Sequence, residues 1–145
     1  MLNAAVIGLG WWGKHIIGCL DGSDCLKTVQ AMDISSNEAG NFAASKGIEF
    51  TSDFEEVLKN PNIDALIIVT PHSLHEEQVL AAAAAGKQIF CEKPFSLTEN
   101  SAKRMLEACA ENNLVVGIGH ERRFEGALVE MKRMIDEGEL GTLLH

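Results

Sequence analysis

Glu92, Lys93 and Pro94 place a carboxylate, an ammonium and a ring-locked backbone side by side, directly after the apolar run Gln88-Ile89-Phe90 and Cys91. Charged residues decorate many strand ends, so the trio alone carries no chemistry; its setting decides. A lysine works as an acid or base when its pKa falls from ~10.4 toward ~7–8. A neighbouring positive charge and partial burial push it that way, and a nearby carboxylate opposes them. Proline restricts the residue before it to extended backbone, so Pro94 sets the direction in which Lys93 presents its amine. Side chains alternate across a strand, which is expected to turn Glu92 away from Lys93 to hold backbone or helix groups.

A second grouping lies near the N-terminus. Gly8-Leu9-Gly10-Trp11-Trp12-Gly13 reads G-x-G-x-x-G. The spacing alone is weak, because glycine pairs are common at turns. Here it ends an apolar run and opens a helical pattern, the context the motif requires. Gly8 permits the tight turn, Gly10 lets a pyrophosphate approach the backbone, and Gly13 lets helix and strand pack closely. The helix beyond aims its free N–H groups and positive dipole end at the phosphates. Asp33 stands 20 positions after Gly13. There a carboxylate accepts hydrogen bonds from the adenine-ribose hydroxyls and repels a 2′-phosphate. Ile34, Ser35 and Ser36 follow, with no arginine, so NAD is expected ahead of NADP, the small serines leaving NADP open. Trp11 and Trp12 are unusual in such a loop: one packs on the sheet edge, or one stands against the nicotinamide end of a cofactor.

These groups need a scaffold, and the apolar pattern supplies one. Short β-type runs at 3–10, 27–33, 63–70, 87–92 and 114–119 alternate with helical spacing at 11–22, 35–47, 51–60, 73–86, 96–113 and 124–138. Ser35 or Ser36, Ser52, Ser73 and Thr98 stand at N-cap positions, Ser52 with Glu55 in capping-box spacing, and Gly47, Gly86 and Gly138 at helix ends. Strands alternating with helices predict an α/β, doubly wound, mostly parallel sheet with right-handed crossovers. In such a sheet ligands bind beyond the carboxyl ends of the strands, where Thr70-Pro71-His72, Glu92-Lys93-Pro94 and Gly119-His120 all fall.

Composition bounds the partners. The 145 residues fit one ordinary domain. A net charge of −9 argues against nucleic acid, whose phosphates select clustered Lys and Arg, and against attraction to an anionic membrane. No apolar run approaches the ~20 residues of a membrane helix, so a cytoplasmic location is expected. The four cysteines (Cys19, Cys25, Cys91, Cys109) show neither CxxC nor metal-ligand spacing with histidine; reduced, buried thiols and no metal site are expected.

With those residues in view, AVIGLGWWGKH, VTPHSLHEEQVLAAAAAGKQIFCEKPFSLT and HERRFEGALVEMKRMIDEGELGTLLH resemble the Gfo/Idh/MocA family of NAD(P)-dependent oxidoreductases over the whole chain. The resemblance implies a Rossmann fold and hydride transfer between nicotinamide and a sugar, polyol or related hydroxyl substrate, with Lys93 as acid/base. It implies cofactor contacts from Gly8, Gly10, Trp11, Trp12, Gly13, Asp33, Thr70, Pro71, His75, Glu92 and Lys93. His72 stands where the family often has Asn. The family also has a C-terminal α/β substrate domain and the usual oligomer interface, which this sequence is expected to lack. Residues 1–120 are therefore expected to be the NAD(P)-binding domain, and 121–145 a linking helix and the start of a truncated C-terminal domain, its last residues a strand just begun. The chain alone is expected to bind NAD and turn over substrate poorly, with a homo-oligomer left open. Helix 124–138 is expected to pack back on its own sheet. Two other readings remain: a non-catalytic NAD(P)-binding sensor, and an imine or tetrapyrrole-type reductase.

Overall fold

Strand β1 (Leu2–Ile7) is apolar on both faces because both faces are covered: Ala4, Ala5, Val6 and Ile7 are all fully buried. The computed structural model describes residues 1–144, the side chain of Ser36 excepted. β1 is followed by α1 (Trp11–Leu20), β2 (Leu26–Met32), α2 (Ser36–Ser45), β3 (Glu49–Thr51), α3 (Phe54–Lys59) and β4 (Ala65–Ile68). Then come α4 (His75–Ala84), β5 (Gln88–Cys91), α5 (Glu99–Glu111), β6 (Val116–Ile118) and α6 (Gly126–Asp136). Short 3-10 turns at His72–Leu74 and Glu121–Phe124 precede α4 and α6.

The six strands form one sheet in the order β3-β2-β1-β4-β5-β6, with every neighbouring pair parallel. Parallel neighbours need long crossovers, and the helices supply them. The chain moves outward from β1 through β2 to β3, then returns to β4 on the other side of β1. This reversal leaves a crevice beyond the carboxyl ends of β1 and β4, the usual ligand position in such sheets.

Strand alternation divides the core into two layers. Ala5, Ile7, Leu66, Ile68, Ile89 and Cys91 face α3, α4 and α5, where Val57, Val79, Ala82 and Met105 meet them. Ala4, Val6, Ala65 and Ile67 face α1 and α2, against Ile17, Ala39 and Ala43. Full burial of an Ile, Leu or Val contributes roughly 1.5–3 kcal/mol, so these two layers, not the helix caps at about 1 kcal/mol each, hold the sheet together. The second layer thins toward β5, where Phe90 remains partly exposed over Gly117.

The sheet and its helices follow the sequence reading, with local departures. β3 is an edge strand of three residues, too short for a period-two pattern to register. It occupies the approach to the expected helix 51–60, which begins only at Phe54, capped by Asp53 accepting from the Glu55 N–H at 2.9 Å and not by Ser52. Ser73 lies inside a 3-10 turn and caps nothing; α4 starts at His75 with no side-chain cap. Thr98 caps α5 through the Ser101 N–H. Gly47, Gly86 and Gly138 take positive φ past their helices. The Lys93-Pro94 bond is cis. α6 does not pack back on the sheet: it has no buried residue, and Leu128, Val129 and Met131 are exposed. No strand forms over 141–144; His145 lies outside the described residues. No described helix is long and apolar enough to cross a membrane.

All four cysteines are free, but only Cys91 and Cys109 are buried; Cys19 and Cys25 are exposed, because they sit on the outer face of α1 and in the turn after it. Burial, and then the Glu92 carboxylate, push the Cys91 thiol up to about 12, and burial raises Cys109 as well. The thiolate is the reacting species. Iodoacetamide at pH 8 is therefore expected to modify Cys19 and Cys25 in the native protein, and Cys91 and Cys109 only after unfolding. Mass spectrometry reads the outcome; rapid native labelling of Cys91 would contradict the packing described.

Candidate functional site

The turn from β1 into α1 is built by three glycines with different tasks. Gly8 has φ +100°, which a side chain rarely adopts, and its N–H donates to the Met32 carbonyl at 2.8 Å. A Cβ on Gly13 would lie 2.0 Å from the Gly8 carbonyl oxygen, so only glycine lets α1 approach this closely. A Cβ on Gly10 would meet nothing within 4 Å: the bare backbone there faces open space. Gly10 is also the N-cap of α1 and offers no side-chain partner to the helix, so the first N–H groups stay available to an anion.

Asp33, just past β2, ties into the same turn. Its Oδ2 accepts from the Leu9 N–H at 2.6 Å and its Oδ1 from the Ser35 N–H at 2.7 Å. A cavity of about 320 Å³ opens beside it, lined by Leu9, Gly10, Trp11, Lys14, Asp33, Ser35, Glu38 and Ala39. An acid just past β2, an open glycine backbone and an uncapped helix terminus fit a dinucleotide.

Trp11 also walls a second cavity, about 420 Å³, with Trp12, Val69, Thr70, His72, Glu92, Lys93 and Glu121. The strand-end residues of β1, β4 and β5 therefore converge on one cleft. The Trp12 indole N–H donates to Glu92 Oε1 at 2.7 Å, and Glu92 Oε2 accepts from the Lys93 backbone N–H at 3.0 Å. Gly119 packs against this carboxylate so tightly that a Cβ there would lie 2.4 Å from Oε1. Glu92 thus holds a helix group and a backbone group, but it lines the same cleft as Lys93. β5 ends at Cys91, and beyond its last residue strict alternation no longer sets side-chain direction.

Lys93 is exposed, without the partial burial expected from the sequence, although the turn carrying Glu121 lines the same cavity. Thr70 is half-buried, its hydroxyl donating to Gln78 Oε1 at 2.5 Å. Two residues singled out by the resemblance lie off the cleft wall. Pro71 is exposed and lines neither cavity. His75 is fully buried, its Nδ1 3.0 Å from the Pro94 carbonyl and its Nε2 3.0 Å from the Thr70 carbonyl. It bridges the two loops that carry Thr70 and Lys93, and so positions both from beneath. Trp11 is largely exposed and stacks with Trp12 and His15 at centroid distances of 5.5 Å.

Comparison with known proteins decides the lineage. Residues 2–120 match the Gfo/Idh/MocA model, described as an oxidoreductase family with an NAD-binding Rossmann fold. The chain belongs to that family. It is 39% identical over 99% of its length to the scyllo-inositol 2-dehydrogenase (NAD(+)) of Bacillus subtilis strain 168, covering 43% of that relative. An NAD-binding protein from Listeria innocua superposes with a TM-score of 0.93 at 26% identity, over 99% of this chain and 42% of that one. A scyllo-inositol dehydrogenase from Lactobacillus casei, solved with NAD(H) and scyllo-inositol, gives 0.90 at 28% identity over 97% and 42%. The chain thus spans about four tenths of the relatives it matches.

Within this Gfo/Idh/MocA domain, the cavity residues missed from sequence are Lys14, Glu38 and Glu121, while His72, marked with its strand-end motif, does line the cleft. Glu121 sits directly after the strand-end pair Gly119-His120, so its proximity was available as a signal. Nothing in the sequence pairs Lys14 with Glu38, 24 positions away on another helix. Among the described residues no cluster of His, Cys, Asp or Glu is arranged to hold a metal.

Proposed function

We propose that this chain is the dinucleotide-binding portion of an oxidoreductase that oxidises a secondary alcohol of a polyol or sugar with NAD. The observation that carries this reading is the single cleft at the sheet's switch point, glycine turn and Asp33 at one end, Lys93 at the other, with Trp11 common to both cavities. The relatives named for inositol oxidation support the substrate class. Residues 1–120 form the cofactor-binding unit, and the chain beyond it belongs to a separate segment, as the unpacked α6 supports.

In this reading Gly10 and the first N–H groups of α1 bind the pyrophosphate, Asp33 receives the ribose hydroxyls, and Trp12 walls the nicotinamide end. A nicotinamide held at that end would supply the acceptor for the hydride of the alcohol carbon. Lys93 Nζ takes the hydroxyl proton as the carbonyl forms, and releases it to solvent. Glu92 contributes by orientation: it fixes the Trp12 ring and the Lys93 backbone together.

The test is titration of the purified chain with NADH and with NADPH, following fluorescence of Trp11 and Trp12, the only tryptophans. Saturable binding with NADH preferred is expected. Binding of neither would overturn the reading.

A further inference from the structure

The ribose end of the cleft holds a cation that the proposed chemistry leaves unassigned. Lys14 lies one residue past Gly13, on the first turn of α1, and Glu38 lies on the first turn of α2. Their side chains form an ion pair within the cavity that contains Asp33 and Ser35. The two partners are anchored differently. The Lys14 ammonium sits 5.6 Å from the centre of the Phe42 ring, and its side chain is 26% exposed. Glu38 is 84% exposed, and among the described residues only Lys14 holds its carboxylate. The hydrogen bond from Lys14, then its charge, keep Glu38 below the usual carboxylate range.

A 2′-phosphate needs a cation within reach, whereas a 2′-hydroxyl needs an acceptor. Here both oxygens of Asp33 are already held by backbone N–H groups, so this acid is fixed. Asp33 and Glu38 together outnumber Lys14, leaving one net negative charge around the ribose end. Rejection by unfavourable charge is a common route to specificity.

We propose that Lys14 and Glu38 form the element that sets cofactor choice: Lys14 is the latent 2′-phosphate site, and Glu38 keeps it closed by neutralising it. The inference rests on the dinucleotide reading of this cleft. Exposed ion pairs contribute little to folding, so breaking this one alters recognition without unfolding the domain.

Glu38→Gln is expected to shift the NADPH/NADH affinity ratio at least about tenfold toward NADPH, the equivalent of about 1.4 kcal/mol. Lys14→Gln is expected to weaken NADPH further in the wild-type background, and the double variant Lys14→Gln/Glu38→Gln to lose the gain of Glu38→Gln. All four proteins are titrated with both cofactors by tryptophan fluorescence at one fixed ionic strength. A ratio for Glu38→Gln within about threefold of wild type, or a gain that survives in the double variant, overturns the proposal. Failure of wild type to bind NADH overturns the cleft reading itself, a result distinct from NADH binding with an unmoved ratio.

Discussion

Lys93→Met is expected to slow NAD-dependent alcohol oxidation by about 10²–10⁴-fold, the usual contribution of a positioned acid or base, while the NADH dissociation constant moves by less than about threefold. The separation follows from the geometry. Among the described residues the Lys93 ammonium has no hydrogen-bond or ion-pair partner, and only its backbone N–H is held, by Glu92 at 3.0 Å. Truncating the exposed side chain leaves no buried group unsatisfied, so stability should stay within about 0.5 kcal/mol. The loss then belongs to proton transfer and not to folding. The measurement is NADH formation with an inositol or a sugar, in whichever form of the protein turns over, this chain or a longer one, alongside the fluorescence titration. Unchanged turnover would mean that another group moves the proton. Loss of NADH binding together with turnover would make Lys93 a binding residue.

Gly13→Ala tests the other end of the cleft. The added methyl would sit 2.0 Å from the Gly8 carbonyl oxygen and 3.2 Å from Val69 Cγ2. The nearer atom is backbone, in a turn whose Gly8 N–H is bonded to Met32 across the sheet. No side-chain rotation relieves that contact, so α1 must move off β1 or the turn must open. Overpacking commonly costs 1–3 kcal/mol, and a backbone clash belongs at or above the upper end. At about 2–4 °C per kcal/mol for a domain of this size, Tm should fall by roughly 6–12 °C. NADH affinity should fall with it, because the displaced turn is the proposed phosphate cradle. Gly18 in the same helix is the control: it is exposed, and a Cβ there meets nothing within 4 Å. Gly18→Ala should stabilise the domain by about 0.5–1 kcal/mol. Thermal melts of both variants check the pair; a Gly13→Ala protein that melts with wild type would mean the close approach is not required.

Much of the fold was legible because its signals are local. Continuous apolar runs such as 63–70 announce a strand buried on both faces, and Thr98 three residues before Ser101 announces a cap; both depend only on neighbours along the chain. The glycine turn and Asp33 were legible for a similar reason. Strand–turn–helix–strand fixes how far apart the glycine turn and the acid after β2 stand, whatever covers them. β3 was missed because three residues cannot display a period. The cap of α3 was misassigned because Ser52 and Asp53 compete for one role, and only the angle at which β3 delivers the chain chooses between them.

The remaining features depend on contacts between residues far apart in sequence. The Trp12–Glu92 bond joins positions 80 apart, and it exists because β5 lies two strands from β1 and delivers Glu92 toward the start of α1. His75 has the same helix-start position in sequence whether it faces a ligand or the interior; packing of α4 under two loops puts it inside. Lys14 and Glu38 are ordinary helix charges until α1 and α2, both laid on one face of the sheet, bring their first turns together. By itself the sequence determined the alternation of strands and helices apart from β3, the glycine-rich turn and the class of cofactor, since local spacing encodes them. Only the tertiary structure decided which charges neutralise one another in the cleft and which side chains merely support it. Those outcomes depend on strand order and helix placement, which no local spacing records.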